Sequence, residues 1–258
     1  MFAEEYSVAG NAAGTKALFL KNNPFGFFLT AVLAGIYVGF GVVLSFSVGG
    51  QLEGIPITRF LMGFTFTIAL SLVVIAGAEL FTGLNFIAFA GLRQKTIGLG
   101  QLGKMWAVCY LGNWFGSILI AILFWLTGLD KGAVGEFIAN AAAVKMNAEP
   151  MELIARGILC NTLVCLAIWC NFRCKSESAK LIMIFWCILA FITTGFEHSI
   201  ANMTLLTIAL LEPFQASVSI FGYFYNIFFV AIGNIIGGLL IVALPYHLIS
   251  RKKEPSVN

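Results

Sequence analysis

Long stretches without a single charged residue constrain this chain more than any other feature of its sequence. Residues 22–52 and 105–129 contain no Asp, Glu, Lys or Arg, and a helix needs about 20 apolar residues to cross the hydrocarbon core of a bilayer. Charged residues make up 10% of the chain, whereas a soluble domain carries about 25%. The chain is therefore predicted to be an all-α polytopic membrane protein.

Six segments are predicted to cross the membrane, and the second and the fifth are interrupted. Glu79 divides the second segment, and Glu197 with His198 divides the fifth. The last segment is long enough for a crossing and an extension along the membrane surface. The predicted segments are 22–52, 60–78 with 80–92, 105–129, 157–172 with a polar first turn from Pro150, 181–196 with 199–211, and 213–250.

Two short motifs recur in the same order in the two halves of the chain. GAEL at 77–80 returns as GFEH at 195–198, and GNWFG at 112–116 returns as GNIIG at 233–237, at spacings of 118 and 121 residues. A duplicated unit of three crossings explains both recurrences. Because three is an odd number, the two copies are predicted to face opposite sides of the membrane as an inverted repeat.

The distribution of basic residues predicts the orientation. With both termini in the cytoplasm, eleven lysines and arginines lie inside and four lie outside, in agreement with the excess of basic residues in cytoplasmic loops. We therefore expect a multi-pass protein of the cell membrane, folded as one membrane domain. Its predicted parts are an amphipathic cytoplasmic segment at 1–23, a first repeat at 24–129, an outer connection at 130–149, a second repeat at 150–250 and a cytoplasmic tail at 251–258.

The two interrupted segments predict where a substrate crosses. Irregular backbone at membrane depth persists only where it is buried in protein or lines a cavity, and paired interruptions in inverted repeats mark the substrate path. Each break also exposes a helix N-terminus, whose partial positive charge favours anions. Thr82 and Ser199 follow the breaks, where N-cap side chains are expected.

Three ionisable residues lie at the breaks. An unpaired carboxylate at the bilayer centre is costly, so Glu79 and Glu197 are predicted to stabilise the loops by accepting hydrogen bonds from backbone N–H groups. Direct contact with the substrate is the alternative for both. His198 has Leu80 as its counterpart in the first repeat. A lone buried histidine is usually a core residue, but at this break we interpret His198 as a pore contact that can donate a hydrogen bond or a proton.

Further polar and apolar residues surround the breaks. Thr82 is predicted to face His198, and Asn161 and Asn234 are candidate polar partners, with hydrogen bonding between helices as the alternative. Asn234 is also expected to stabilise the loops, together with Glu79 and Glu197. A narrow pore also needs apolar constrictions that exclude hydrated ions, although such residues are more often ordinary packing. The candidates for these constrictions are Phe66, Leu70, Leu80, Phe81 and Phe191.

Other classes of function receive less support. The six cysteines form no CxxC pair and are interpreted as core residues, so no metal or cofactor is predicted. A haem-containing membrane redox protein needs axial ligands at one depth, whereas His198 and His247 are predicted at different depths. A water or glycerol channel would carry NPA motifs at the breaks. No basic patch with interleaved aromatics indicates nucleic acid, and no enzyme activity is expected.

Several motifs resemble one known family, the formate/nitrite transporters. They are AGAELFTG at 76–83, GILCN at 157–161, GFEHSIANM at 195–203 and GNIIGG at 233–238, and NNPFGFF at 22–28 fits as well. The resemblance covers nearly the whole chain, and GFEHSIANM is its most specific part. It implies an aquaporin-like arrangement of six helices, assembled in the lipid bilayer as a homopentamer in which each protomer contains its own pore.

The resemblance also implies roles for single residues. His198 would be the central histidine of the pore, Thr82 the hydroxyl that faces it and Asn161 a polar neighbour. The five apolar candidates would form two constrictions. The residues that match the family's anion-attracting lysines are Lys145 on the outer face and Lys16, with Lys21 as its competitor, on the cytoplasmic face.

The resemblance further implies a class of substrate. Members of the family conduct small monovalent anions, among them formate, nitrite, lactate-like acids and hydrosulfide. The stretches NNPFGF and AGAELFTG are more similar to the nitrite and hydrosulfide branches than to the formate branch. The sequence as a whole is most similar to the hydrosulfide channels, so hydrosulfide is the expected substrate, with nitrite and formate as further ones.

Overall fold

The structure, a computed structural model, describes residues 1–251, and these fold into helices and their connections. All of the predicted tail except Arg251 lies outside the described residues, including Lys252 and Lys253. The helices are α1 (Ala3–Asn22), α2 (Pro24–Gln51), α3 (Thr58–Phe66), α4 (Ile68–Ile75), α5 (Phe81–Arg93), α6 (Leu99–Leu126), α7 (Gly132–Met146), α8 (Pro150–Arg173), α9 (Glu177–Thr194), α10 (Ser199–Leu211), α11 (Ile220–Ile236), a π-helical segment (Gly237–Ala243) and α12 (Leu244–Ser250).

Six helical stretches within residues 1–251 are long and apolar enough to cross a membrane, which confirms the predicted number of crossings. The second crossing comprises α3 and α4, and the fifth is α9. Each is followed by a break and a shorter helix, α5 or α10, so the predicted interruptions are present. The crossings are Pro24–Gln51, Thr58–Ile75, Leu99–Leu126, Pro150–Arg173, Glu177–Thr194 and Ile220–Ser250.

The same close packing joins the first and third crossings of each repeat. Gly112 of α6 lies so close to α2 that an added Cβ would collide with Ala31. Gly233 of α11 lies so close to α8 that an added Cβ would collide with the Ile154 carbonyl oxygen. Small residues at such positions allow helix backbones to approach closely in a membrane. The recurring GN motif therefore marks equivalent packing in the two repeats.

Helix α1 packs its buried face against α5. Gln94, which follows α5, donates a hydrogen bond from Nε2 to the Tyr6 carbonyl oxygen at 2.6 Å. The Ser250 hydroxyl donates to the Phe2 carbonyl oxygen at 3.2 Å, so both ends of the described chain meet on one face. The buried residues of α1 are Tyr6, Ala9, Gly10, Ala13, Ala17 and Leu20.

The predicted outer connection at 130–149 contains α7, which packs on α2 and α10. One other part of the chain differs from the prediction. The last crossing is one continuous helix of 31 residues, so the predicted extension is the same helix continued and not a separate segment. Its π-helical segment precedes Pro245, whose ring would crowd a carbonyl oxygen in a regular α-helix, and the wider π turn relieves this conflict.

Candidate functional site: two helix breaks and the path between them

The two breaks have the same backbone conformation. Gly77 and Gly195 both have a φ of +80°, a left-handed value that glycine adopts without strain. The residue before each following helix is extended, with φ and ψ of −101° and 125° at Leu80 and of −115° and 113° at His198. Both α5 and α10 therefore begin inside the protein, with their first N–H groups directed at the breaks.

An asparagine from the third crossing holds the first break. Asn113 Oδ1 accepts a hydrogen bond from the Phe81 N–H at 2.9 Å. Its Nδ2 donates to the carbonyl oxygens of Ala31 and Glu79, both at 2.8 Å. Asn113 thus connects the first N–H of α5 to the loop and to α2. It was not among the predicted site residues, although its place in the recurring GN motif was a signal for it.

Asn234 does the same for the second break. Its Oδ1 accepts a hydrogen bond from the Ser199 N–H at 3.0 Å. Its Nδ2 donates to the carbonyl oxygens of Gly157 at 2.9 Å and Glu197 at 3.0 Å. The two asparagines are 0% exposed. Each bonds to two backbone groups of its break, a loop carbonyl oxygen and the first N–H of the next helix, and to one carbonyl oxygen of a neighbouring helix.

The structure corrects the expectation about the N-caps. The N-cap positions of α5 and α10 are occupied by Leu80 and His198, and not by Thr82 and Ser199. The Ser199 hydroxyl is buried and has no hydrogen-bond partner among residues 1–251. Sequence spacing alone did not distinguish the last residue of a break from the first residue of the helix after it.

The two glutamates bond to lysines in place of the expected backbone N–H groups. Glu79 forms an ion pair with Lys16 from α1, and Glu197 forms one with Lys145 from α7 at 2.7 Å. Both lysines that were expected to attract anions are therefore paired with carboxylates. Lys21, the alternative on the cytoplasmic side, is exposed in the last turn of α1.

The second ion pair belongs to a closed ring of hydrogen bonds. Asn202 Nδ2 donates to Glu197 Oε2 at 2.6 Å and to Asn226 Oδ1 at 2.8 Å. Asn226 Nδ2 donates to the Lys145 carbonyl oxygen at 2.9 Å. The side chain of Glu197 is 3% exposed and that of Glu79 is 13% exposed. The second break is therefore the more deeply buried and the more fully bonded of the two.

His198 is bonded at both ring nitrogens. Its Nδ1 accepts a hydrogen bond from the Ala201 N–H at 3.2 Å, so the imidazole caps α10. Its Nε2 lies 3.0 Å from the Thr82 hydroxyl oxygen. Because Nδ1 is an acceptor, the single proton of a neutral imidazole is on Nε2. A second proton, on Nδ1, would oppose the Ala201 N–H, so these contacts favour the neutral ring.

Two cavities meet at His198. The larger, called the funnel below, has a volume of about 590 Å³ and is lined by residues of α2, α3, α7, α8, α9 and α10, by the loop before α3 and by the second break. The smaller has a volume of about 10 Å³, the space of roughly one water molecule. It is lined by Val38, Phe66, Ala69, Leu70, Leu80, Val164, Ile188, Phe191 and His198.

Apolar side chains separate and close these cavities. Phe66 and Phe191 line both, and their rings form an edge-to-face pair with centroids 5.8 Å apart. The Phe191 ring also stacks on the imidazole of His198 at 6.0 Å. Leu70 and Leu80 line the smaller cavity. Four of the five predicted apolar residues are thus brought together around the histidine.

Phe81 and Asn161 lie outside the linings of the two cavities. The Phe81 ring packs edge-on against Tyr110, with centroids 4.7 Å apart. Asn161 Nδ2 donates to the carbonyl oxygens of Thr82 at 3.2 Å and Asn234 at 2.6 Å. The bonds of Asn161 thus join α8 to the first turn of α5 and to α11. This is hydrogen bonding between helices, the alternative to a role as a polar partner in the pore.

The profile of the formate/nitrite transporter family matches residues 4–248. The chain belongs to this family. The nitrite transporter NirC of Salmonella typhimurium is 38% identical over 256 residues, covering 98% of this chain and 94% of that protein. This family member is therefore similar to a named transporter over nearly all of the given sequence.

Solved structures agree with that assignment. A structure described as an FNT family ion channel superposes on this family member with a TM-score of 0.92 at 36% identity, covering 97% of this chain and 100% of the other. A pentameric formate channel with formate bound superposes with a TM-score of 0.81 at 29% identity, covering 90% and 99%. The first of these likenesses extends over nearly the whole chain.

Proposed function

We propose that this protein is a channel or transporter, and not an enzyme, that conducts small monovalent anions of weak acids across a membrane. One observation carries the proposal: an imidazole whose Nδ1 accepts a backbone hydrogen bond, and whose proton is therefore assigned to Nε2, lines a small cavity together with two phenylalanines and two leucines. The predicted roles of His198, Thr82, Phe66, Leu70, Phe191 and Leu80 are retained in this proposal.

The chemistry of such a path selects its substrates. A bare anion between apolar constrictions loses its hydration, which is costly unless a hydrogen bond or a change in charge offsets it. The Nε2–H of His198 can donate to the anion in place of Thr82, and a weak acid can also cross as the neutral, protonated species. Chloride cannot use the second route because its conjugate acid is too strong to form. The proposal therefore separates weak-acid anions from chloride.

Among these anions we propose nitrite, hydrosulfide and formate. Nitrite is supported by the printed name of the Salmonella relative, and formate by the anion bound in the pentameric channel. Hydrosulfide rests on the resemblance of the sequence as a whole to the hydrosulfide channels.

The proposal extends to assembly and to the remaining site residues. We propose a homopentamer in the cell membrane with both termini in the cytoplasm, supported by the pentameric neighbour and by the excess of basic residues on that side. Lys16 and Lys145 would meet anions at short range only, because Glu79 and Glu197 cancel their charges at a distance. Phe81 would support Leu80 from behind, and Asn161 would hold Thr82 in place.

Flux into proteoliposomes tests the function directly. Vesicles that contain the purified pentamer are mixed with nitrite, hydrosulfide, formate or chloride, and uptake is compared with that of vesicles without protein. We expect protein-dependent uptake of at least one weak-acid anion and little of chloride. Equal uptake of chloride and of all three weak-acid anions, or uptake of none of them, would contradict the proposal.

A further inference from the structure

The funnel carries more positive than negative charge. Its lining includes three cations, Arg59, Lys145 and Arg156, and two anions, Glu53 and Glu197. The sum of these five charges is one positive charge, so the loss of any one of the three cations would make the sum zero. The position and pairing of each cation therefore decide which of them acts on an anion that approaches from water.

Two of the three cations are engaged with carboxylates. Lys145 is paired with Glu197 at 2.7 Å, and its side chain is 20% exposed. Arg156 is paired with Glu152, which is one turn away on α8, at 2.7 Å. Arg59 lies in the first turn of α3 and is exposed. Within residues 1–251, Arg59 and Glu53 are the two charged residues of the lining that form no ion pair, so removal of the Arg59 charge would leave the carboxylate of Glu53 as the unpaired charge of the funnel.

We infer that Arg59 is the residue that concentrates anions in the funnel, in place of Lys145. The inference rests on the proposed function, since it concerns delivery to the same path. A charge that is unpaired acts over the full screening length of the solution, whereas a pair acts as a dipole over short distances. Arg59 thereby sets how much substrate reaches the constriction, while His198 sets what passes it.

The size of the effect follows from electrostatics in water. A unit charge about 8 Å from a path in water changes the local concentration of a monovalent anion by roughly two- to threefold. Screening is weak at about 10 mM ionic strength and strong at about 300 mM. The contribution of Arg59 is therefore large at low salt and small at high salt, and it affects anions that enter through the funnel and not those that leave by it.

Currents through pentamers in a planar bilayer test the inference, with nitrite or formate added to one face at a time. Arg59→Gln is expected to raise the half-saturating anion concentration roughly two- to threefold at low salt, with the maximal current unchanged. The shift should disappear at high salt and be absent when the anion enters from the opposite face. Arg59→Lys should restore wild-type behaviour, because it restores the charge.

Lys131 provides the matched control, since it is an exposed cation, paired with Glu212, that does not line the funnel. Lys131→Gln should leave the half-saturating concentration unchanged. An Arg59→Gln channel that equals wild type at low salt would overturn the inference, as would a loss that high salt does not remove. A wild-type protein that carries no current and also takes up no weak-acid anion into proteoliposomes would contradict the proposed function itself, which is a different outcome. Current alone does not decide this, because a weak acid that crosses as the neutral species carries no charge.

Discussion

The two breaks use one architecture for two different tasks. Each has a left-handed glycine, a glutamate paired with a lysine, and a buried asparagine that bonds to the loop and to the first N–H of the next helix. At the position before that helix, however, the first break has Leu80 and the second has His198. The backbone is symmetric, and the side chains presented to the path are not.

This difference shows that the residues that stabilise the breaks are distinct from the residue proposed to select the substrate. The glycine, the glutamate–lysine pair and the asparagine that fix each loop occur in both repeats, so equivalent residues can be compared by mutation. The hydrogen-bond donor on the path occurs once, and its partner Thr82 comes from the opposite repeat. The two repeats therefore form a single polar contact where they meet, beside a small cavity whose other lining residues are apolar.

The symmetric part gives the largest expected effect. Asn113→Ala and Asn234→Ala each remove three hydrogen bonds from buried backbone groups, so each should destabilise the fold by about 2–4 kcal/mol. The measurement is the apparent Tm of the pentamer in detergent. Asn140, which is exposed in the funnel lining, is the control, and Asn140→Ala should change the Tm little. A large loss at only one of the two asparagines would break the comparison.

The asymmetric residue gives the next largest effect. His198→Leu makes the second break like the first and removes the only hydrogen-bond donor that we assign to the anion. A hydrogen bond to a charged group contributes about 1.5–3 kcal/mol, so flux of nitrite or formate should fall by about 10- to 100-fold. The readout is proteoliposome uptake by a variant that still elutes as a pentamer.

His198→Asn is the matched variant that separates structure from function. Asparagine can accept from the Ala201 N–H, as a favourable N-cap residue, and it keeps an amide donor. It cannot exchange a proton with the anion, so its flux should be less dependent on pH and its preference for weak-acid anions over chloride should weaken. A wild-type pH profile and wild-type selectivity in this variant would reduce His198 to a capping residue.

Much of this arrangement could be predicted from the sequence. The apolar runs determine the six crossings, and the polar interruptions determine the breaks, because both follow from the need to keep unpaired polar groups out of lipid. The juxtaposition of Thr82 with His198 was predicted from the breaks and the resemblance and is present at 3.0 Å. These features depend on local composition or on motifs that stand next to the breaks.

What the sequence did not show depends on contacts between distant segments. Asn113 differs from an ordinary polar residue of a crossing only by the loop that lies opposite it, whereas Asn234 was expected at the loops and bonds to the second break. The pairing of Lys145 with Glu197 requires α7 to fold back over α10. No spacing in the chain encodes the contacts of Asn113 or of Lys145. The recurrence of the GN motif was the one available signal for Asn113.

The apolar side of the comparison gives a smaller effect. Leu80→Ala widens the smaller cavity and should admit larger monocarboxylates such as lactate severalfold faster, because the constriction is removed. Phe81→Ala should instead lower the Tm without changing this selectivity, since the ring packs on Tyr110 and lines neither cavity. The ratio of lactate to formate uptake measures the selectivity of both variants, and the apparent Tm measures their stability. If Phe81→Ala changed the selectivity and Leu80→Ala did not, Phe81 would be the constriction and Leu80 the packing residue.

The two ion pairs should show the smallest difference. Glutamine keeps the shape of glutamate but replaces one acceptor oxygen with a donor. Both oxygens of Glu197 accept bonds, from Lys145 and Asn202, so Glu197→Gln must turn its amide N–H₂ towards one of these donors. Glu79 has Lys16 as its only hydrogen-bond donor within residues 1–251, and Glu79→Gln can keep that bond through its carbonyl oxygen.

Glu197→Gln should therefore destabilise the protein by about 1 kcal/mol more than Glu79→Gln, measured as the difference in apparent Tm between the two pentameric variants. Glu212→Gln is the control, because its pair with Lys131 is at the surface and exposed pairs contribute little. Equal shifts for Glu79→Gln and Glu197→Gln would mean that the ring through Asn202 and Asn226 adds nothing to the second break. A larger shift for Glu79→Gln would reverse the order of the two breaks, because the less buried carboxylate would then be the one on which the fold depends.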